Sequence, residues 1–185
     1  MNGHRSLLTL VGSLLAVAAC SKGDKGAAAD SAAASPASTV SVPASAAKGD
    51  VNSTVHVTLT GGSNAGSYDG KATEGGCSAG LTGKGSWGNQ YSTTTEDPKA
   101  FSSLQMIVPD AKAAASGTKN FLLTVGFGPL LSQTSYEIEP AKGNGTGTVK
   151  VDDHGSSGKV TFSGQTKQGV KVEGSIDCLV VLRGG

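Results

Sequence analysis

This chain has few aromatic residues, few histidines and almost no net charge. Aromatic residues make up 4% of its 185 residues, three residues are histidine, and the formal net charge at pH 7 is +1. A surface without excess or clustered positive charge lacks the electrostatic footprint of a nucleic-acid-binding protein, so we expect no nucleic acid partner. So few histidines cannot form the multi-histidine sites of copper and catalytic zinc proteins unless carboxylates supply the remaining ligands. We therefore expect no metal and no cofactor.

The acidic residues do not form a catalytic pattern. Glu96 and Asp97 precede a proline in a loop, and Glu137 and Glu139 share one face of a strand, so both pairs are interpreted as solvated surface. The run 152–155 lacks the alternating oxygen ligands of an EF-hand calcium loop and is interpreted as a polar hairpin turn. No catalytic residue is predicted, and the chain is not expected to be an enzyme.

An apolar segment at the N-terminus carries a targeting signal. Residues 1–19 open with His4 and Arg5, are mostly apolar from Leu7 to Val17, and end just before Cys20. This arrangement is typical of a secretory signal peptide, and the apolar run is too short for a membrane-spanning helix. We predict that residues 1–19 are a signal peptide.

The last residues of this segment, Val17-Ala18-Ala19-Cys20, resemble the lipobox of bacterial lipoproteins. In that family the cysteine becomes the mature N-terminus, its thiol receives a diacylglyceryl group, and its amine is usually acylated, often with palmitate. The resemblance implies lipidation of Cys20 and a stable anchor in a lipid bilayer, because several acyl chains bind far more tightly than one. Ser21 stands where an aspartate would signal inner-membrane retention in enteric lipoproteins, which favours the outer membrane of the cell envelope. An ordinary secreted protein is the alternative.

A second compositional segment, residues 20–50, follows the leader. It is rich in alanine, serine, proline and glycine, and Val40 and Val42 are its only branched apolar residues. Such a composition cannot bury enough apolar surface to offset the entropy lost on ordering, and Pro36 and Pro43 interrupt the alanine runs that could form a helix. We predict a lipidated cysteine and a disordered tether over 20–50, and a folded domain over 51–185.

The composition and patterning of residues 51–185 predict an all-β domain. The chain contains 28 glycines and only 37% hydrophobic residues, and its apolar runs are short and rich in valine and threonine. One short helix is predicted at 110–116, capped by Asp110 and ended by Gly117. About eight antiparallel strands at short intervals favour a β-sandwich, with a small β-barrel as the alternative.

The last strand, residues 168–183, is the one around which the domain is expected to form. Its even-numbered residues from Val170 to Leu182 are apolar or small and are expected to face the core, while the odd-numbered residues up to Asp177 face water. From Leu179 onward both faces are expected to be covered. The other strands are predicted at 51–60, 67–73, 81–87, 101–108, 120–127, 135–139, 145–151 and 159–163. The segment 51–60 alternates as a half-buried strand with His56 on its wet face, and Phe121, Leu123, Val125 and Phe127 are expected to share one face of 120–127.

Cys77 and Cys178 remain as a pair once Cys20 is assigned to lipidation. In an oxidising compartment an even pair favours a disulfide, and closing a loop of about 100 residues would stabilise the domain by roughly 4.7 kcal/mol in the chain-entropy model. Two free buried thiols or a metal-binding pair are the alternatives. We predict one disulfide, between Cys77 and Cys178.

Two further resemblances concern the folded part. The tail from Gly143 to Cys178, with Gly-x-Gly-x-Gly-x-Val, Lys-Val-Thr-Phe-Ser-Gly and Val-Glu-Gly-Ser-Ile-Asp-Cys, resembles the last strands of small mycobacterial lipoprotein antigens. This implies a lipid-anchored β-domain and carries no functional residue across. A cysteine, Trp87 and a late cysteine follow the order seen in immunoglobulin domains. However, the cysteines lie too far apart, and Ile176 stands where that family has a tyrosine.

Trp87, the single tryptophan, admits two interpretations. Gly85 and Gly88 would let a ligand approach an exposed ring closely, as on a sugar-binding face. A chain poor in aromatic residues is instead expected to bury its largest side chain in the core. Core packing is the preferred interpretation.

Three functions stay open at this point. An envelope lipoprotein with a structural or surface role and no chemistry is expected first, a binding module for a glycan, peptide or hydrophobic ligand second, and a hydrolase third. The expected partner is the lipid bilayer, reached through acylated Cys20. The sequence identifies no protein or glycan partner.

Overall fold

The computed structural model describes residues 50–184. The predicted signal peptide, Cys20 and all but the last residue of the predicted tether lie outside the described residues. Within 50–184 no helix is long and apolar enough to cross a membrane.

Eleven β-strands form this part of the chain, with one short α-helix, α1, at Ala111–Ala114. Short strands separated by glycine-rich turns follow from the valine, threonine and glycine content of the sequence. In chain order the strands are β1 Ser53–Thr60, β2 Gly66–Ala72, β3 Gly76–Ala79, β4 Trp87–Ser92, β5 Phe101–Val108, β6 Leu122–Phe127, β7 Thr134–Ile138, β8 Thr146–Asp153, β9 Gly158–Gln165, β10 Lys171–Cys178 and β11 Val181–Arg183.

The strands form two sheets packed as a sandwich. The first sheet has the order β2-β1-β10-β9-β8 and is antiparallel throughout, and the second has the order β11-β3-β4-β5-β6-β7. In the second sheet β11 pairs in parallel with β3, and the other pairs are antiparallel. The predicted sandwich is confirmed and the barrel alternative is wrong.

The predicted number of strands, about eight, was too low, because the glycines of the stretch 61–88 interrupt the apolar patterns by which strands are recognised. Of the predicted strand at 81–87, residues 81–86 form a loop and Trp87 begins β4, and the chain pairs before and after this loop as β3 and β4. Glycines with positive φ at Gly75, Gly80 and Gly85 mark the turns of this stretch. β3 has only four residues, and one of the buried residues of β4 is the polar Asn89, so neither strand shows a clear apolar alternation.

The core lies between the inner faces of the two sheets. Alternate residues of each strand point inward, as the period of two requires. The inner face of the first sheet contributes Val55, Val57, Leu59, Val160, Phe162, Val172 and Ile176, and that of the second contributes Leu104, Met106, Val108, Leu123, Val125 and Phe127. The prediction that Phe121, Leu123, Val125 and Phe127 share a buried face is confirmed, and β6 lies inside its sheet, between β5 and β7.

The last predicted strand is two strands that belong to different sheets. β10 ends at Cys178, and Leu179 and Val180 both donate their backbone N–H to the carbonyl of Asn52 as the chain crosses to β11. This crossing shifts the alternation by one residue, so that Val181 is buried while Leu182 is exposed. The expectation that Val180 and Leu182 face the core was therefore wrong. Leu179 is 56% exposed, so the expectation that both faces are covered was also wrong.

The short helix forms where the cap residues predict it. The side chain of Asp110 accepts a hydrogen bond from the backbone N–H of Ala113 at 3.0 Å, which satisfies one free donor of the first turn. Gly117 follows with a φ of +95°, a conformation that ends a helix and that other residues adopt rarely. Beyond it, Thr118 pairs with Val149 on β8.

The predicted disulfide is present and joins the two sheets. Cys77 lies on β3 and Cys178 on β10, their Cα atoms are 5.8 Å apart, and 101 positions separate them in sequence. Both residues are buried. The side-chain amide of Asn89 donates to Cys77 Sγ at 3.3 Å and to Ser53 Oγ at 3.4 Å, which surrounds the bond with buried polar groups.

We predict that the purified Cys77→Ala/Cys178→Ala double variant is less stable than the oxidised protein by about 3–5 kcal/mol. Removing the cross-link releases the closed loop in the unfolded state and so raises its entropy. Urea unfolding at equilibrium measures the difference. As a control, alkylation of the denatured, unreduced wild type should add no alkyl group to Cys77 or Cys178, and two added groups would contradict the bond.

Candidate functional site

Trp87 begins β4, and its side chain is 0% exposed. Its ring lies against the backbone of Gly158 in the facing sheet, where an added Cβ would come within 2.8 Å of the indole. The indole N–H has no hydrogen-bond partner among the described residues. The interpretation of Trp87 as a core residue is therefore confirmed, and its interpretation as an exposed sugar platform is wrong.

A cavity of about 530 Å³ opens on the first sheet instead, and we call it the His56 cavity. Its volume falls within the range of roughly 300–1,000 Å³ that is typical of small-molecule sites. The lining residues come from β1, β2, β4 and β10. They are Thr54, Val55, His56, Asp69, Gly70, Lys71, Tyr91 and Asp177.

Strand register brings the polar lining residues together. His56 pairs with Asp69 across β1 and β2, and Thr54 pairs with Lys71 on one side and with Asp177 on the other. These residues stand on the outward face of the first sheet, because the apolar alternation of β1 directs its odd-numbered residues into the core. The prediction that His56 faces water is confirmed.

The imidazole of His56 is held by a carboxylate. His56 Nδ1 and Asp69 Oδ1 are 2.8 Å apart, and the two side chains are 51% and 84% exposed. Because a carboxylate accepts hydrogen bonds, Nδ1 carries the proton and donates it, which leaves Nε2 free for another partner. The ring is thus oriented in advance.

Tyr91 reaches the cavity from the opposite sheet. It lies on β4, is 6% exposed, and stacks on Phe101 with ring centroids 5.0 Å apart. The hydroxyl-bearing end of the ring lies against Gly70, where an added Cβ would come within 2.7 Å of Tyr91 Cζ. Burial raises the pKa of the Tyr91 phenol above its ordinary value of 10.0, which keeps the hydroxyl protonated and able to donate.

The charges of the cavity nearly balance. Asp69 and Asp177 are the acidic lining residues, and Lys71 is the basic one. Lys159, on the neighbouring strand, donates to Asp177 Oδ1 at 2.8 Å and supplies a second positive charge beside the cavity. A site with this balance has no strong preference for an anion or a cation.

A serine also lies beside His56, in the order of a catalytic triad. Asp69, His56 and Ser175 are successive register partners across β2, β1 and β10. Within the described residues, however, no hydrogen bond joins His56 to Ser175. Sheet pairing on both sides of β1 also engages its backbone N–H groups, so they cannot form an oxyanion hole. The arrangement does not support acyl transfer.

Sequence reasoning missed one motif, the pentapeptide Gly76-Cys77-Ser78-Ala79-Gly80, which fits the Gly-x-Ser-x-Gly pattern of a nucleophile elbow. It forms β3 rather than a strand-to-helix turn, and its cysteine is in the disulfide. Ser78 lines a groove of about 220 Å³ on the second sheet, together with Leu81, Ile107 and Leu182. The residues that line this groove include no histidine and no carboxylate, so Ser78 has no general base there.

The run 152–155 lies at the polar hairpin between β8 and β9, as the sequence indicates: Asp152 and Asp153 end β8, and His154 and Gly155 begin the turn. Asp153 accepts from the backbone N–H of Gly155 at 2.9 Å and from the guanidinium of Arg183, and Arg183 Nε donates to the Gly155 carbonyl at 2.8 Å. His154 Nε2 lies 3.1 Å from Asp152 Oδ1. The turn is thereby tied to β11.

The two acidic pairs found in the sequence are engaged at the surface. Glu137 accepts from Asn144 Nδ2 at 2.7 Å, and Glu139 pairs with Lys142 at 2.9 Å. Asp97 accepts from the backbone N–H of Lys99 at 2.9 Å within its own loop. Within 50–184 there is no group of three or more histidine, cysteine, aspartate or glutamate side chains that could hold a metal ion.

We predict that the single tryptophan of the folded, oxidised protein emits at short wavelength and resists quenching by acrylamide. Its complete burial keeps water and quencher from the indole. Fluorescence spectra with and without acrylamide measure both properties, and the protein unfolded in urea is the control for an exposed indole. Water-like emission from the folded protein would contradict the burial of Trp87.

We predict that the ion pair between Asp153 and Arg183 makes stability depend on pH. Burial alone would raise the pKa of Asp153, but hydrogen bonds from Arg183 and from the Gly155 N–H outweigh it and lower the pKa below 3.8. The pair therefore stabilises the fold above this ordinary value, and the stabilisation is lost as the pH falls through the lowered pKa. Because both side chains are partly exposed, Asp153→Asn should cost only about 0.2–1 kcal/mol at neutral pH.

Urea unfolding of the wild type and of Asp153→Asn, at several pH values between neutrality and acid, measures this dependence. The stability difference between the two proteins should shrink as the solution becomes acidic. Arg183→Met, which removes the partner and keeps the length of the side chain, should reduce the same pH dependence. A difference that stays constant down to strong acid would contradict the prediction.

Comparison with known proteins leaves the family of the chain open. No protein-family model, curated protein or solved structure matches it. Any function therefore has to be argued from its own sequence motifs and from the geometry of its own side chains.

Proposed function

We propose that this chain is a bacterial lipoprotein, anchored in the cell envelope through acylated Cys20, that carries its β-sandwich on a tether. The observation that carries the proposal is the lipobox-like sequence Val17-Ala18-Ala19-Cys20 at the end of an apolar leader. Ser21 rather than an aspartate after the cysteine favours the outer membrane. The first strand begins at Ser53, so a flexible tether of about 30 residues would place the domain on the order of 30 Å from the bilayer.

The disulfide of the sandwich supports a location outside the cytoplasm. A buried disulfide joins its two sheets, and such bonds persist in oxidising compartments. Among residues 50–184, His56 is not hydrogen-bonded to Ser175, and the groove lined by Ser78 contains no general base. Neither serine is therefore activated for hydrolysis. We therefore propose a structural or surface role without catalysis, and we do not propose a hydrolase.

Binding of a ligand is the second candidate function, and the His56 cavity favours it. The cavity combines a volume of about 530 Å³ with a histidine, a lysine, two aspartates and a tyrosine from two sheets. Pockets with a few converging polar groups are the usual location of ligand sites. This cavity replaces Trp87 as the place where a ligand would bind.

We predict that Cys20 takes up a clickable palmitate analogue in bacterial cells and that Cys20→Ala does not. The thiol is the atom that the lipobox resemblance assigns to acylation, and alanine has no group that can accept a diacylglyceryl chain. Click labelling followed by gel electrophoresis measures the uptake. Equal labelling of the two proteins would contradict the proposal.

Two variants of Ser21 provide a matched control. Ser21→Ala changes the neighbouring residue without changing the thiol, so its labelling should equal that of the wild type. Ser21→Asp, expressed in an enteric host, should keep its label but move to the inner-membrane fraction. Unchanged fractionation of Ser21→Asp would contradict sorting by the residue after Cys20.

A further inference from the structure

We infer that the His56 cavity is a binding site for an uncharged carbohydrate, such as a sugar ring presented by a glycan of the envelope. The inference deepens the binding function proposed above and rests on it. Four observations carry it: the charge balance of the cavity, the free polar groups that line it, the contact of Tyr91 with Gly70, and the preorganisation of the lining.

The charge balance gives a charged ligand little net electrostatic gain. Asp69 and Asp177 lie across β1 from one another, with Lys71 beside the first and Lys159 beside the second. A phosphate or carboxylate would meet the two aspartates, and a metal ion or an amine would meet the two lysines. An uncharged polar ligand meets neither penalty, because its hydroxyl groups need only hydrogen bonds.

The free groups match the hydroxyl groups of a sugar. Lys71 forms no salt bridge with another of the residues 50–184, so its ammonium can donate to a ligand. His56 Nε2 is free because Nδ1 is bound to Asp69. Asp69 and Asp177 each keep an oxygen that can accept. A sugar hydroxyl donates and accepts at once, so it can bridge a carboxylate and an ammonium or imidazole group.

The contact between Tyr91 and Gly70 gives the cavity an aromatic edge. With any other residue at position 70, a Cβ would overlap the hydroxyl end of the Tyr91 ring, the nearest ring atom lying 2.7 Å away. Gly70 therefore acts as a positioning residue, because it makes room for the Tyr91 ring, which is 6% exposed and forms part of the cavity wall.

The aromatic part of the lining is ordered before any ligand arrives. Phe101 stacks on the Tyr91 ring, and Phe127 packs against Phe101 with ring centroids 5.8 Å apart. His56 is hydrogen-bonded to Asp69, and Asp177 to Lys159, but about half or more of each of these side chains is exposed, so the two pairs orient the polar groups only weakly. The buried rings lose little entropy on binding.

Histidine resonances provide the test, because His56 and His154 form a matched pair. Each is an exposed histidine with one ring nitrogen within 3.1 Å of an aspartate oxygen, but only His56 lines the cavity. The full-length protein in detergent micelles would be titrated with N,N′-diacetylchitobiose, maltose and a mannose disaccharide, as uncharged probes. Glucuronate and glucosamine would serve as the anionic and cationic probes. Proton–carbon NMR spectra of the histidine rings report binding.

We expect at least one uncharged disaccharide to shift the His56 resonance with a Kd of about millimolar or tighter, while the His154 resonance stays unchanged. Glucuronate and glucosamine should bind more weakly. Asp69→Asn should weaken binding at least about tenfold, and Asp152→Asn, which alters the matched aspartate, should not. Gly70→Ala should also weaken binding, because its Cβ would displace the Tyr91 ring from the cavity wall. Partial recovery in Gly70→Ala/Tyr91→Leu, which removes the clashing ring atoms, would support the steric role of Gly70.

The inference is overturned if no uncharged disaccharide shifts His56 more than His154, if a charged probe binds as tightly, or if Asp69→Asn leaves the Kd unchanged. An unchanged far-ultraviolet circular dichroism spectrum must accompany each variant. The mass of the same preparation reports acylation of Cys20. Acylated protein without sugar binding therefore refutes the carbohydrate site alone, whereas sugar binding without acylation refutes the anchor alone.

Discussion

Packing in this domain is governed by the close approach of its two sheets. Glycines of the first sheet stand where large side chains of the second sheet lie. Trp87 lies against Gly158, and Ile138 lies against Gly164. An added Cβ at either glycine would come within 3.0 Å of the facing side chain. Interiors pack to nearly crystalline density, so a Cβ at either position would force the sheets apart or displace the side chain.

The same constraint shapes the edge where the candidate site lies. The Tyr91 ring packs against Gly70 as the Trp87 ring packs against Gly158. Gly70 differs in lying on the edge strand β2, where Tyr91 also lines a cavity. Elsewhere the disulfide holds β10 against β3, and the chain crosses between sheets directly after Cys178. Packing that stabilises the core thus also determines which polar residues meet at the surface.

Most of the fold class could be predicted from the sequence, and little of the candidate site. The alternation in β1 and β10, and the caps of the helix at Asp110 and Gly117, depend on neighbours in sequence and were correct. The crossing after Cys178 was missed because it depends on the pairing of β11 with β3, about 100 residues away in sequence. His56 was predicted to be exposed, but its pairing with Asp69 depends on the register between β1 and β2. That register could not be predicted across the glycine-rich turn that joins the two strands.

Composition, spacing and local pattern were enough to predict an all-β domain and the pairing of Cys77 with Cys178, and they include the lipobox-like end of the leader on which the proposed anchor rests. Only the packing of the two sheets shows that Trp87 is buried and that Tyr91 lines a cavity beside His56. The difference lies in the range of the interactions. Periodicity, capping and cysteine count act within or along the chain, whereas burial and cavity shape depend on which glycine of one sheet faces which ring of the other.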